Sequence, residues 1–363
     1  MTPRPDLAVI GGGVVGLSVA WRCAQRGLTV EVHHEELPGT ASAVAPGMLS
    51  PVSAADFPAP ELLAFAHRAR HRWPAFAAEL AEASGTDLGY GADGMLLVAH
   101  RPSDRERVAA MYAFREGHDA PPKALDAAGL RALEPLLSPD ADGGGFVTED
   151  HHVDAQRVRA ALRTAGEAAG VRFVAGRVGA LDEVRAGAVL VAAGSWSPDL
   201  HPWPVTPVRG QVVLLRDPDG GPGLRHGIRG VVDGQPVFLA GRHGHETVVA
   251  ATLDHTGFDV RPSAQATEGL LRSAVALVPA LARHRVVETR VGLRPDTPDH
   301  LPVMGRVPGR PDTYAATGHY RHGVLLAPLT ADLLADLVAT GTDAVPAAFS
   351  PERFRTAKES TPR

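Results

Sequence analysis

A glycine turn near the start of the chain restricts the possible folds more than any other feature of its 363 residues. The stretch "DLAVIGGGVVGLSVAWRCAQRGLTVEVHHEEL", residues 6 to 37, begins as an apolar strand over residues 6 to 10 and runs straight into glycines. Those glycines end the strand and open a helix expected from about Val14 to Arg26, with Gly27 standing where a left-handed residue closes helices. Leu28 to His33 read as a second strand, which completes a strand–turn–helix–strand unit of about 30 residues, the parallel dinucleotide-binding pattern. Gly11, Gly13 and Gly16 supply the tight turn, the room for backbone to approach phosphate, and the close helix packing. Val14 and Val15 open the helix, whose first N–H groups carry the partial positive charge that suits a pyrophosphate.

One slot in this unit departs from the pattern. Where such folds place an acidic residue to hold a ribose, the chain has His34 followed by Glu35. Either a one-residue shift lets Glu35 reach the hydroxyls, or a neutral His34 accepts a hydrogen bond in its place.

Beyond residue 37 the alternation changes twice. Residues 60 to 84 are helical by content and 93 to 100 read as a strand, while 101 to 135 read as mostly helical, broken by Pro121 and Pro122. "VDAQRVRAALRTAGEAAG", 153 to 170, is an amphipathic helix with Asp154 as N-cap and Gly170 just past its end. Strands at 171 to 174 and 188 to 192 resume the parallel α/β order. From about 205 to 294, short strands with turn signals predict antiparallel sheet. The stretch "TYAATG" and the apolar helix "GVLLAPLTADLLADLVATG" return to α/β. The expected architecture is therefore α/β, with a discontinuous Rossmann-like domain over 1–80, 146–203 and 296–363, and an antiparallel-sheet domain over 81–145 and 204–295.

Composition removes several classes of function. A formal net charge of -5, from 36 basic and 41 acidic residues that are interspersed, offers no footprint for nucleic acid or an anionic membrane. The single cysteine, Cys23, rules out an internal disulfide and a multi-cysteine metal site and fits a reducing cytosol. No separate apolar region precedes the first strand, no fully apolar run reaches membrane-spanning length, and a cytoplasmic protein is expected. The histidine pairs 33/34, 151/152 and 243/245 lack any metal-binding spacing, so no metal is expected.

Four further segments, in order, carry a family resemblance: "SAVAPGMLSP", "VLVAAGSWS", "VGLRPDTPDHLPVMG" and "ATGHYRHGVLLAPLTADLLADL". With the glycine turn, they make the chain similar to the amino-acid oxidase flavoproteins, and within these to the glycine oxidases of thiamine biosynthesis. The resemblance covers nearly the whole chain and implies FAD, held without a covalent link because the flavin loop has no histidine. It implies that Gly47 and Met48 pass the flavin ring, that Val178 contacts the adenine through its backbone, and that Gly194 lets backbone lie near the cofactor. Gly318 to Gly323, with His319, Arg321, His322 and Gly323, would bring the N-terminus of the last helix to the flavin's pyrimidine edge, where it stabilises negative charge on reduction. His319 and Arg321 would line the site or simply hold the loop. Arg294, in "GLRP", would bind the substrate carboxylate through two parallel hydrogen bonds and orient the Cα–H bond. Phe238 stands where the family has a tyrosine near the substrate, and Met48 and Arg321 would complete that end.

The resemblance implies oxidation of glycine or a similarly small amino acid, with dioxygen as acceptor, hydrogen peroxide as product, thiazole synthase as a downstream acceptor, and a homo-oligomer. Sarcosine, a D-amino acid or a biosynthetic intermediate are alternative substrates. A nicotinamide dehydrogenase and a flavin-binding protein without turnover are the rival readings.

Overall fold

The computed structural model describes residues 4–51, 59–113 and 122–354. In chain order, β1 (Leu7–Ile10), α1 (Val14–Gln25) and β2 (Val30–His34) form the opening unit. There follow α2 (Ala41–Val44), β3 (Met48–Leu49), α3 (Pro60–Ser84), β4 (Met95–Ala99), α4 (Arg105–Ala113), β5 (Lys123–Asp126) and α5 (Ala127–Leu133). Next come β6 (Gly143–Val147), β7 (His151–His152), α6 (Ala155–Ala168), β8 (Arg172–Ala175) and β9 (Ala188–Val191). The last part holds β10 (Thr206–Arg216), β11 (Gly227–Val232), β12 (Gln235–Arg242), β13 (Glu246–Ala250), α7 (Ala264–Leu277), β14 (Arg285–Asp296), β15 (Val303–Val307), β16 (Arg310–Thr317) and α8 (Gly323–Thr340).

The first sheet has the order β15-β16-β9-β1-β2-β8 and is parallel except for the β15/β16 hairpin. Its helices pack as their sequence predicts. In α6, the Asp154 carboxylate accepts from the N–H groups of Gln156 (3.0 Å) and Arg157 (3.2 Å), and Gly170 turns left-handed at φ 86°. Helix α8, read from the sequence as an apolar helix, is by length and composition long and apolar enough to cross a membrane, although Asp332 and Asp336 interrupt its apolar run. Both carboxylates are paired: Asp332 with Arg22 of α1 (3.1 Å) and Arg72 of α3 (2.7 Å), and Asp336 with Arg26 at the end of α1 (2.7 Å). The rest of α8 lies buried against those helices, where the Trp73 indole donates to the Leu325 carbonyl (2.9 Å).

The second sheet has the order β14-β10-β13-β12-β11-β4-β6-β5. It is antiparallel, as expected for 205 to 294, apart from the parallel β11/β4 pair. One face buries a core under α5 and α7, formed by Leu96, Val213, Ile228, Leu239 and Val249 with Leu270 and Leu277. The other face carries Met95, Val212, Phe238, Ala240, Val248 and Ala250 towards β3 and α2.

The mostly helical reading of 101 to 135 holds for α4 and α5, but it missed β5, which stands between them and forms the sheet edge. Pro121 lies outside the described residues. Strand β6 was hidden by its composition, "GGGFV", which carries no alternation to read. A side chain at Gly144 would overlap the Leu97 carbonyl on the neighbouring strand, so the pairing that makes this a strand also excludes strand-typical residues.

Candidate active site

The carboxyl ends of β1, β2, β9 and β16 face the apolar side of β10 and β14, and a cleft of about 1460 Å³, counting its open mouth, runs between them. Ligands of open α/β sheets bind at these strand ends, where loops diverge and helix N-termini converge. Glycines make the first wall possible. At Gly11, φ is 123° and a Cβ would overlap the Ala192 carbonyl, and a Cβ at Gly16 would overlap the carbonyl of Gly11. Gly16 therefore serves helix–strand packing, while Gly11, Gly13, Val14 and Val15 line the cleft. Ser42 Oγ accepts from the Val14 N–H (3.0 Å) and Arg159 Nε donates to the Gly12 carbonyl (2.9 Å), which fixes the turn from both sides.

His34 and Glu35 both border the cleft, in different states. Glu35 is exposed, whereas the His34 ring lies against Gly12, where a Cβ would come within 2.9 Å of its Cγ. Arg163 Nη1 lies 3.2 Å from His34 Nε2. An arginine can only donate, so Nε2 accepts and the proton resides on Nδ1. His34 Nδ1 is buried without a hydrogen-bond partner among the described residues. An orphaned donor beside a glycine cradle fits a ribose hydroxyl, with His34 donating rather than accepting as the sequence alone suggested.

The loop after β9 ties the two sheets together. Gly194 is left-handed at φ 56°, its carbonyl accepts from Thr317 Oγ1 (3.1 Å), and Ser195 Oγ donates to the Leu293 carbonyl of β14 (3.0 Å). Val178, Ala193 and Gly194 all line the cleft. An elongated space with a glycine turn and helix N-terminus, an orphaned donor, and a second helix N-terminus at α8 fits a dinucleotide laid across the strand ends.

Arg294 occupies the opposite wall. Its Nη1 donates to the carbonyls of Arg209 (3.3 Å) and Thr252 (3.2 Å). The guanidinium rests on Gly210, where a Cβ would lie 2.5 Å from Cζ. Gly210 faces Gly292 in the β10/β14 register, and a Cβ at Gly292 would press on Val44 at 3.0 Å. This glycine pair is what admits both the arginine and α2. Burial, and secondarily the charge of Arg321, pull the Arg294 guanidinium down to about 10, which leaves it charged at neutral pH.

The segment before α8 closes this end. Tyr320 is left-handed at φ 46°, held by its N–H on the Pro295 carbonyl (2.8 Å) and by its ring against His300 at 5.3 Å. Arg321 stacks on Tyr320 at 5.0 Å and is exposed. His319 is buried, 3.3 Å from Thr330 Oγ1; burial pushes its imidazole down to about 4, against the opposing effect of a hydrogen bond to the Thr317 backbone. It is neutral at physiological pH. His319, Arg321 and Gly323 line the cleft, whereas His322 is buried at the N-cap of α8 and does not.

Three expected contacts lie elsewhere. Gly47 is required by β7: a Cβ there would overlap the Val153 carbonyl, and Val153 N–H donates to the Gly47 carbonyl (2.9 Å). Met48 pairs with His152 and packs with Phe238 in the apolar layer of the second sheet. Phe238 thus lies on the same face as Val212 but two strands further along, since both pair with Ala250 of β13; Val212 lines the cleft and Phe238 does not, and the stretch from Thr40 to Pro46, α2 included, reaches it. Ser42, Gly210, Gly292 and Thr317 were not legible as site residues in the sequence; Gly210, four residues into an otherwise regular strand, was the one visible signal.

The chain matches the model of the family "DAO: FAD dependent oxidoreductase" over residues 6–337. It is 31% identical over 373 residues to the bifunctional protein ThiO/ThiG of Trichormus variabilis, covering 98% of this chain and 56% of that protein. The chain thus spans about half the length of such bifunctional relatives. With the glycine oxidase of Geobacillus kaustophilus it shares 32% identity over 361 residues, covering 93% of this chain and 94% of that one. The crystal structure of glycine oxidase from Geobacillus kaustophilus superposes with a TM-score of 0.88 at 30% identity, covering 98% of this chain and 100% of that one. The crystal structure of iminodiacetate oxidase from Chelativorans sp. BNC1 gives 0.82 at 26% identity, covering 95% and 98%. With the glycine cradle, the cleft across the strand ends and a match over most of its length, the chain belongs to the DAO family of FAD-dependent oxidoreductases.

Proposed function

We propose that the chain oxidises glycine or a similarly small amino acid in the cytosol, forming an imine that water hydrolyses to glyoxylate and ammonia while dioxygen is reduced to hydrogen peroxide. The observation that carries this reading is Arg294, a charged guanidinium seated on Gly210 in the wall facing the glycine turn. Among the described residues its hydrogen bonds run from Nη1 alone, so Nε and Nη2 are left to form a fork for a carboxylate.

FAD, when bound, supplies the acceptor for the α-hydrogen and its electron pair and hands the electrons to dioxygen. Gly11, Gly13, Val14 and Val15 would hold its pyrophosphate, His34 its ribose, and Val178 and Gly194 its flanks. Arg294 binds the substrate carboxylate and so fixes the direction of the Cα–H bond. The α8 N-terminus, at Gly323 and Val324, presents N–H groups to developing negative charge, and the neutral His319 beside it adds no positive charge of its own. No side-chain base is required when the amine arrives neutral.

The apolar wall of Val44 and Val212, continued along the same face of the sheet by Ala250 and Phe238, favours N-methylated or small-side-chain substrates as a second reading, sarcosine and D-alanine among them. The fused ThiO/ThiG relatives support a place in thiamine thiazole formation, with thiazole synthase using the product. The test is a peroxide-coupled screen of small amines on the FAD-loaded protein. Turnover of glycine supports the first reading and preference for sarcosine the second, whereas bound FAD with no peroxide from any amine refutes both.

A further inference from the structure

Arg294 is aimed by two carbonyl oxygens, and only one of them, that of Arg209, belongs to the sheet. The other belongs to Thr252, in the segment between β13 and α7 that no regular element holds. A polar network on the far face of β10 holds it instead. Strand alternation puts Gly210 and Val212 on the cleft side and Arg209 and Gln211 on the opposite side.

Arg209 is buried; its Nη1 donates to Asp254 Oδ2 (2.8 Å), and its Nη2 to Gln211 Oε1 (3.1 Å) and to the Arg261 carbonyl (2.7 Å). The backbones of Arg209 and Asp254 exchange two hydrogen bonds, at 2.9 and 3.0 Å. Thr252 is gripped at three points. Its N–H donates to the Gln211 carbonyl (3.2 Å), its Oγ1 accepts from the Gln211 N–H (3.0 Å), and the same hydroxyl donates to Asp254 Oδ2 (2.9 Å). Gln211 in turn secures the far end of the segment: Nε2 donates to Thr267 Oγ1 (2.7 Å) and Oε1 accepts from the Ser263 N–H (2.8 Å).

We infer that Arg209, Gln211 and Asp254 are positioning residues for substrate binding: from the back of β10 they hold the Thr252 and Arg209 carbonyls in place, and through these the fork of Arg294. None of the three lines the cleft, so they act on the substrate only through Arg294. The inference rests on the reading of Arg294 as carboxylate anchor. It separates this network from an ordinary latch, because a latch would affect folding and cofactor content without regard to which residue stands at 294.

The experiment is a double-mutant cycle on the FAD-loaded protein, with acetate as a carboxylate probe titrated against flavin absorbance, and with KM and kcat for glycine. Asp254→Asn keeps the shape and removes the charge opposite Arg209; the Asp254 side chain is 39% exposed, so the variant is expected to fold. It should raise the acetate Kd roughly five- to twentyfold and lower the glycine kcat/KM by a similar factor, shared between KM and kcat because the fork also orients the Cα–H bond, with FAD content close to wild type. In an Arg294→Ala background, the same substitution should change the acetate Kd by under about twofold, since the group through which it acts is gone. Arg209→Lys, carried through the same cycle, keeps the inference testable if Asp254→Asn does not fold. An equal effect in both backgrounds, or none in the wild-type background while Arg294→Ala alone abolishes acetate binding, overturns the positioning role. Unchanged acetate binding in Arg294→Ala itself overturns the anchor reading and this inference with it.

Discussion

Substituting alanine for Gly210 tests the carboxylate site without removing any charged or polar group. The added Cβ would lie 2.5 Å from Arg294 Cζ, whereas carbon atoms in contact sit about 3.5–4.0 Å apart, so the guanidinium must retreat by about 1 Å or more. The clash is with the end of a flexible side chain, and the position is extended strand, where alanine costs nothing in backbone conformation and limits the unfolded chain. Stability should therefore hold or rise slightly. Displacing a two-pronged charged contact by that distance removes hydrogen bonds worth about 1.5–3 kcal/mol, or roughly ten- to hundredfold in kcat/KM. The assay is peroxide release with glycine, together with acetate titration, thermal denaturation and the FAD absorbance spectrum. A folded, FAD-loaded Gly210→Ala protein with wild-type kcat/KM and acetate affinity would show that the guanidinium does not work from this seat, and the site assignment would fail.

Arg294→Lys replaces the fork with a point charge and should cost about 1.5–3 kcal/mol of carboxylate binding while leaving the flavin spectrum intact; wild-type turnover would mark Arg294 as dispensable. His34→Ala should weaken FAD binding about three- to tenfold, the value of one neutral hydrogen bond, and Glu35→Ala should not; titration of the apoprotein with FAD decides between them, and the reverse order would return the ribose to Glu35. His151, His152 and His319 are each pushed by burial to about 4 in the folded protein. Their folded values lie below the unfolded value of 6.5, so the unfolded chain takes up protons first. The stability due to neutral imidazoles is complete above pH 6.5 and is lost as pH falls towards 4. For His319, 3% exposed, the loss by pH 5 is about 2 kcal/mol, visible as a lower urea midpoint than at pH 7.5, and a flat profile would contradict it.

The sequence by itself determined the elements whose hydrogen bonds are local. The strand–glycine–helix–strand unit, the Asp154 cap of α6 and the left-handed Gly27 and Gly170 could be read directly, because each depends on residues within a few positions. It also pointed to Arg294, through resemblance rather than physics. What only the tertiary structure decided was every relation across strands far apart in the chain. Arg294 meets the Arg209 carbonyl 85 positions away, and Gly210 is open to its guanidinium only in the register that sets Gly210 against Gly292. His34 rather than Glu35 turns inward because α6 brings Arg163 to its ring from 129 residues further on. Gly47 answers to Val153, and Phe238 to the apolar layer it shares with Val212 and Met48, so each residue serves a neighbour that no local pattern could name. Strand β6 shows the same limit: its glycines look like a loop until β4 lies against them, since the close approach that makes them a strand is a property of the pair and not of either segment.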